Sequence, residues 1–490
     1  MRKFFLLGLI TLVAISVFAQ DTTVTFKLFL GTGEYSPKDD WHGILRLESI
    51  PELGSNPDTV SITSAPTIPI KQCIDNGVKL NFGHGFYYNE TDDDLYIVSI
   101  FTNKGNFETT STDTAVGSIA IIPQVSTKSG PQVDSFRHIF GDSTQILQPH
   151  SCWVDESRDM LYVANTFGEN ILVFNNASTV AGNVVPNRVI SSTKMGRPVY
   201  VFIDEQADRM FVACMKGGTG EGDSQVIIYN SASALDGVND PDVRIFGDST
   251  KLSNINGTVH NVWFKGDGEL LAVGHHTYEL SIFDLSTINL DPASPEDHNI
   301  PARIINVNVD PNHSDSTDTN LYGFYWDTKD DVIYCSVGVD NPGGGPKQQA
   351  PPNSIKVYKN VSNSSVKGQI TPDRVIYWDN GDIYYPPQPV WVIKEQTISG
   401  IEDRTHALEF FVYPNPSKGD INIEFEAPSG QEISLDLFNT DGKLILNRKI
   451  QVVDGLISRH IDLPEGLNAG VYILNLKTTD STITRKIIIQ

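Results

Sequence analysis

Between residues 84 and 336 one pattern of apolar and polar positions occurs five times. The segments are HGFYYNETDDDLYIVS from His84, HSCWVDESRDMLYVAN from His150, VYVFIDEQADRMFVAC from Val199, HNVWFKGDGELLAVG from His260 and YGFYWDTKDDVIYCS from Tyr322. Each is an apolar run, an acidic turn and a second apolar run. Short runs rich in β-branched and aromatic residues, broken by Asp, Asn or Gly, predict two strands joined by a tight hairpin. Asp155, Asp204 and Asp327 open three of the turns, and Asn89 and Lys265 open the other two. A third strand follows each hairpin: GSIAIIP, ENILVFNNAS, SQVIIYNSAS, YELSIFDLS and NSIKVYKNVS. A fourth comes next, usually announced by proline: FRHIFGDST, PNRVISST, PDVRIFGDST, PARIINVN and PDRVIYWD. No helical periodicity competes with this alternation.

Four short strands recurring every roughly 50 to 66 residues mark the blades of a β-propeller. One such unit cannot bury both of its faces, so the units must stack in a ring. Residues 23–31, 42–49 and 58–65 supply three further strands, and QPVWVIKEQ (388–396) supplies the missing first one. A sixth blade built from both ends of the region is therefore expected, leaving the ring no free edge. At LYVAN (161–165) and the Asp-bearing hairpins the region resembles the NHL/YVTN-type propeller families. That resemblance is one of fold, and propellers host binding modules, lyases, lactonases and scaffolds alike.

Residues 397–409 (TISGIEDRTHALE) read as a polar linker without a strand pattern. Beyond them the repeat stops, and FFVYPNPSKGDINIEFEAP, EISLDLFNTDGKLILNRKI, SRHIDLPEGLNAGVYILNLKT and STITRKIIIQ read as about seven short strands. Pro, Gly and Asp-Gly turns between them predict a small immunoglobulin-like β-sandwich. The segment closely resembles the type A C-terminal sorting domain of the type IX (Por) secretion system of Bacteroidetes. Tyr413-Pro414-Asn415-Pro416, then Asp441-Gly442-Lys443, Gly470-Val471-Tyr472 and Arg485-Lys486-Ile487 carry that likeness, in the family's order. It implies a partner, the secretion machinery that reads this tail, and delivery to the medium or the outer-membrane surface by way of the periplasm. The recurrent Asp-Ser-Thr at Asp142, Asp248, Asp315 and Asp480 resembles an O-glycosylation acceptor of the same phylum; a plain turn is the alternative.

The other end of the chain fits this route. Arg2 and Lys3 precede an almost unbroken apolar run from Phe4 to Phe18, and Val17-Phe18-Ala19 places small residues at −3 and −1. A signal peptide over 1–19, cleaved before Gln20, is expected. The run is shorter than the roughly 20 apolar residues a bilayer span needs, and no membrane span is expected in the mature chain. The domains then read as 1–19 signal peptide, 20–396 six-bladed propeller, 397–409 linker and 410–490 sorting domain. A net charge of −24 argues against nucleic acid, which demands clustered cations. Cys73, Cys152, Cys214 and Cys335 lack metal-type spacing, and the last three fall in apolar strands, so buried thiols are expected.

His84, His150 and His260 share one position, the start of the first strand of their repeats, where Val199 and Tyr322 stand in the others. His275 and His276 fall on a connection on the same face. Three imidazoles around a channel mouth suit Zn²⁺ or another borderline metal with an open position for substrate, and some NHL-type lyases resemble this layout. A polar channel lining is the alternative. Asp92-Asp93-Asp94 and the run Asp310 to Asp318 offer oxygen ligands to Ca²⁺, without EF-hand spacing, and read equally as solvated loops. No nucleophile elbow, phosphate loop or zincin helix is present, so no catalytic residue is assigned. Two functional classes follow: an exported propeller that binds an extracellular glycan, polymer or protein, or a metal-dependent lyase or lactonase-like enzyme at a His-lined mouth.

Overall fold

A computed structural model describes residues 21–32, 43–54, 57–62, 67–69, 80–102, 117–127, 136–216, 224–252, 259–275, 277–288, 300–308, 319–339, 354–378, 390–399, 410–426, 432–440, 442–452, 456–464, 466–477 and 482–490. The expected signal peptide (1–19), Cys73, His276, Asp310 to Asp318, residues 400–409 of the expected linker, Asp441 and Asp480 lie outside them. The chain is all-β. Among the described residues no helix is long and apolar enough to cross a membrane. It divides into two compact units, Val24–Gln396 and one that contains Thr397–Gln490.

Among the described residues the Val24–Gln396 unit holds six sheets, taken here in chain order. Sheet one is Leu80–Asn89, Asp94–Thr102, Ser118–Ile122 and Arg137–Ile139. Sheet two is Ser151–Asp155, Met160–Asn165, Asn170–Asn175 and Arg188–Ser191. Sheet three is Arg197–Asp204, Arg209–Lys216, Gln225–Tyr229 and Val243–Ile245. Sheet four is Val259–Lys265, Leu270–His275, Glu279–Asp284 and Arg303–Asn306. Sheet five is Thr319–Asp327, Val332–Val339, Ser354–Lys359 and Arg374–Trp378. The closing sheet sets Val390–Ser399 beside Asp21–Thr32, followed by Gly43–Pro51 and Thr67–Pro69.

Two sequence expectations are corrected here. Residues 58–65 were expected as the fourth strand of the closing sheet, but Thr67–Pro69 takes that place. Asp58–Ile62 instead runs parallel to Arg374–Trp378, as a fifth strand on sheet five, with the Arg374 guanidinium on the Asp58 carboxylate. A buried cation on an edge strand demands such a partner, and proline spacing carries no trace of it. Second, the last strand of the unit runs on to Ser399, into the segment read as linker.

The fifth strand is a general device. Gly182 bridges to Ile139, Gly237-Val238 pairs in parallel with Ile190-Ser191, and Gly368-Gln369 with Ile305-Asn306. In each case the connection between a sheet's third and fourth strands reaches onto the outer edge of the preceding sheet. The three glycines hold φ of 84°, 71° and 70°, a backbone state that only glycine adopts at little cost. An arginine fixes the same contact. Arg137 donates to the Ala177 and Val180 carbonyls at 2.8 and 3.2 Å, Arg188 to Ala232 and Leu235 at 3.1 and 2.7 Å, and Arg374 to Pro51 and Glu52. Arg303 does so to Val361, while sheet three carries Val243 at this position.

The hairpins obey the chemistry read from them, with one addition. The opening Asp155 and Asp327 carboxylates accept backbone N–H groups of their own turns, from Arg158 at 3.1 Å and from Lys329 and Asp330 at 3.1 Å. The closing Asp93, Asp159, Asp208 and Asp331, all at φ between 53° and 57°, reach out of the turn. Each takes the backbone N–H and the hydroxyl of a serine in the next connection: Ser126, Ser178, Ser233 and Ser362. One continuous apolar core draws on all six sheets. Cys152, Cys214 and Cys335 lie in it as free thiols whose ionisation burial pushes upward.

Among the described residues the second unit contains seven strands in two sheets around a separate core. Phe410–Tyr413, Asp420–Glu426 and Leu456–Asp462 form one. The other has the order Leu444–Gln451, Glu432–Asn439, Gly470–Lys477, Thr482–Ile489.

Candidate functional site

The first strand of every sheet brings one aromatic ring to a common centre. Tyr87, Trp153, Phe202, Trp263, Tyr325 and Trp391 each stand three residues after the repeat's starting position. Their rings touch in sheet order: 4.9 Å from Tyr87 to Trp153, then 4.3 Å to Phe202, 5.5 Å to Trp263, 5.0 Å to Tyr325, 5.1 Å to Trp391, and 5.3 Å back to Tyr87. The three tryptophans, from alternate sheets, also meet across the middle at 5.2 to 5.9 Å. Six first strands in a closed circuit of contacts must surround one axis, and these rings fill it. Burial pushes the Tyr87 and Tyr325 phenols well above their ordinary value, helped by Glu156 and Asp327 respectively, so both remain neutral. Tyr87 donates to Glu156 at 2.7 Å, at the hairpin end of the axis.

The residues at the other end are the ones the sequence singled out. Val199, His260 and Tyr322 are each the extra residue of a β-bulge in their first strand, and His84 lies within the bulged stretch of sheet one. A bulge turns a side chain out of the regular alternation, which is how this position can differ in aim from its neighbours. His150 precedes Ser151–Asp155 and holds its place by its N–H on the Ala164 carbonyl at 3.1 Å. The side chains of His150 and His260 are largely buried, and Nδ1 of His150 lies 3.1 Å from the Gln148 carbonyl, to which it donates. They belong to sheets two and four, with Val199 of sheet three between them in chain order. His275 turns into its own sheet, where Nε2 meets Ser281 Oγ at 3.0 Å. Burial lowers its pKa to about 4, so the ring is neutral. The His84 side chain lies outside the described residues. Among the described residues no three His, Cys, Asp or Glu side chains come together as a metal-holding group.

The hairpin face is acidic. A cavity of about 380 Å³ between sheets one and two is lined by Asn89, Thr91, Asp92, Glu156, Asp159 and Ser178. Its carboxylates already have partners: Glu156 accepts from Tyr87 and Thr91, Asp159 from Ser178. Burial, then Glu156 and Asp327, raise the pKa of Glu90 nearby. Of the acidic triplet, Asp93 is committed to Ser126 and Asp94 to Arg137 at 3.0 Å. The Asp-Ser-Thr segments at Asp142 and Asp248 are tight turns whose Thr144 and Thr250 are buried and donate to glycine carbonyls at 2.7 and 2.6 Å.

The C-terminal motifs form a second candidate site. Asn415, between two cis peptide bonds at Tyr413-Pro414 and Asn415-Pro416, uses its whole carboxamide on the last strand. Nδ2 donates to the Lys486 carbonyl and Oδ1 accepts from Ile488 N–H, both at 2.8 Å. Ser417 N–H then donates to Ile488, and Gln490 N–H to Ser417. The two ends of the motif set are therefore one structural unit. Gly442, at φ 77°, completes a turn in which Lys443 N–H donates to the Asn439 side chain at 2.8 Å. Tyr472 is buried and donates to the Asn468 carbonyl at 3.0 Å, while Gly470 begins its strand with open space beside it.

Residues 411–490 match the family described as the secretion system C-terminal sorting domain. This part of the chain is thus a sorting domain of the Por type. No curated protein matches the chain. Among solved structures it is similar to the periplasmic gluconolactonase of Pseudomonas aeruginosa at 10% identity and a TM-score of 0.39, over 90% of this chain and 100% of that one. A proposed 6-phosphogluconolactonase from Bacteroides uniformis gives 11% and 0.37, over 89% and 99%. PorZ, a surface component of the type-IX secretion system of Porphyromonas gingivalis, gives 11% and 0.33, over 91% and 64%. Scores of this size establish no shared fold.

Proposed function

We propose that the chain is a six-bladed β-propeller carried out of the cell by the type IX route and released or held at the outer-membrane surface, where it binds an extracellular glycan, polymer or protein. The sorting-domain match over 411–490 carries the export half of this reading. The seven-stranded second unit is then an immunoglobulin-like delivery sandwich, and the apolar run at 4–18 is the signal that brings the chain to the periplasm. Six sheets with a closed circuit of central aromatic contacts support the blade count. Because aromatic rings fill the axis, a ligand would meet the faces of the ring and the loops there, not pass through it. The alternative metal-dependent lyase or lactonase is not favoured by any observation at the described side chains of His150, His260 and His275. Fusing residues 397–490 to the C-terminus of a periplasmic reporter, in a bacterium with the type IX system, tests the export half. The reporter should appear outside the cell, and a reporter kept in the periplasm would refute it.

A further inference from the structure

We infer that the apolar end of the solvent face of the four-stranded C-terminal sheet, around Leu444, Val471 and Ile488, is the surface by which the secretion machinery reads this chain, and that it fits a partner groove that is apolar at its centre and acidic at its rim. This rests on the sorting reading above and adds the surface and the chemistry of its partner.

Paired residues in an antiparallel sheet point to the same side. Leu444 pairs with Phe438, Phe438 with Ile473, and Ile473 with Lys486, which places one row across all four strands on one face. Val471 and Ile488, paired with each other two residues further on, stand on that face too. The opposite face, with Leu437, Leu474, Tyr472 and Ile487, is buried in the sandwich core. The apolar row is thus not part of the domain's own packing, and contiguous exposed apolar surface of this kind marks an interaction site. Of ten large hydrophobic side chains exposed among the described residues, five fall within 411–490: Phe411, Tyr413, Leu444, Val471 and Ile488.

The remainder of the face shows what a surface without a partner looks like. There Asp436 takes Lys477 at 2.8 Å and Ser434 at 2.9 Å, Asn447 donates to Ser434, and Thr484 donates to Asn475 at 2.8 Å. Polar groups satisfy one another at that end, and apolar groups face solvent at the other. Exposed Lys443 and Lys486 flank the apolar end. Residues 411–490 hold eight Lys and Arg against ten Asp and Glu, a net charge of −2, where the rest of the chain holds 28 against 50, a net charge of −22. An acidic rim would meet Lys443 and Lys486 at the apolar end and repel the strongly acidic remainder of the chain. Strand addition at the Thr482–Ile489 edge is disfavoured, because Asn415 and Ser417 already occupy the backbone groups of Lys486, Ile488 and Gln490.

The test compares full-length chains carrying Val471→Asp, Ile488→Asp, Lys486→Glu or Thr484→Asp with the wild type and with a chain lacking 411–490, in a bacterium bearing the type IX system. The readout is the ratio of extracellular to periplasmic protein. Val471→Asp, Ile488→Asp and Lys486→Glu should lower it about tenfold or more, the scale of a charge forced into, or reversed at, a desolvated contact. Thr484→Asp, on the polar half, should stay within about twofold. Melting of the purified chains checks folding. Where an aspartate lowers the transition, Val471→Thr and Ile488→Thr replace it, and each should still lower the ratio beyond the twofold allowed for Thr484→Asp. Retention of the deletion with normal export of the apolar-end variants would overturn the surface while leaving the sorting reading intact. Normal export of Lys486→Glu alone would remove the acidic rim. Normal export of the deletion would overturn both.

Discussion

His275 shows how one residue type takes different roles at different depths of the same fold. Its ring is fully buried, with Nε2 on Ser281 Oγ, and burial holds its pKa at about 4 against 6.5 in an open chain. The folded state therefore binds fewer protons than the unfolded state between those values, and stability rises with pH there. The contribution is fully present above pH 6.5 and is lost as the pH falls toward 4, by about 1.4 kcal/mol per unit at most. Urea unfolding at pH 7.5 and pH 5 should show a smaller loss in His275→Gln than in the wild type. An identical loss in both would contradict the assignment. The sequence placed His275 near His84, His150 and His260 because all sit at strand ends. It could not show that the bulge at His260 turns out of the sheet while His275 turns inward, since that depends on the partner strand.

The strands themselves were legible because alternating β-branched and aromatic runs broken by Asp and Asn leave little choice of local structure. The fifth strands were not. Gly237-Val238 and Gly368-Gln369 are two residues long and pair with a neighbouring sheet, so no local period announces them. Asp58–Ile62 was assigned to the wrong sheet for that reason, as its anchor is Arg374, 316 positions away. The central rings were readable, each three residues past the repeat start, yet only the closed circuit gives them a meaning. Their energetic weight belongs to this scale. Trp263 touches Trp153, Phe202, Tyr325 and Trp391, so Trp263→Ala opens a hole shared by five sheets. It should cost about 3–5 kcal/mol, measured by denaturant unfolding of the full chain. A loss below about 1 kcal/mol would mean the rings are not packed as one cluster.

At the scale of the whole molecule the two units carry different information. The Val24–Gln396 unit is a repeat whose residues are mostly spent on its own integrity: Arg137, Arg188, Arg303 and Arg374 join sheet to sheet, and Asp93, Asp159, Asp208 and Asp331 join hairpin to connection. Residues bound to such tasks leave few free to declare a ligand, which is why the sequence says so little about one. The C-terminal motifs behave in the opposite way. Tyr413 to Pro416 and Lys486 were legible as a motif at once, and Asn415 shows the two ends to be a single unit. What the sequence withheld was the face they help to build, which exists only once four strands are in register. Fractionation of cells producing either the full chain or a chain ending at residue 410 tests export most directly. The full chain should be found outside the cell and the shortened chain in the periplasm; equal amounts of both outside would contradict the account.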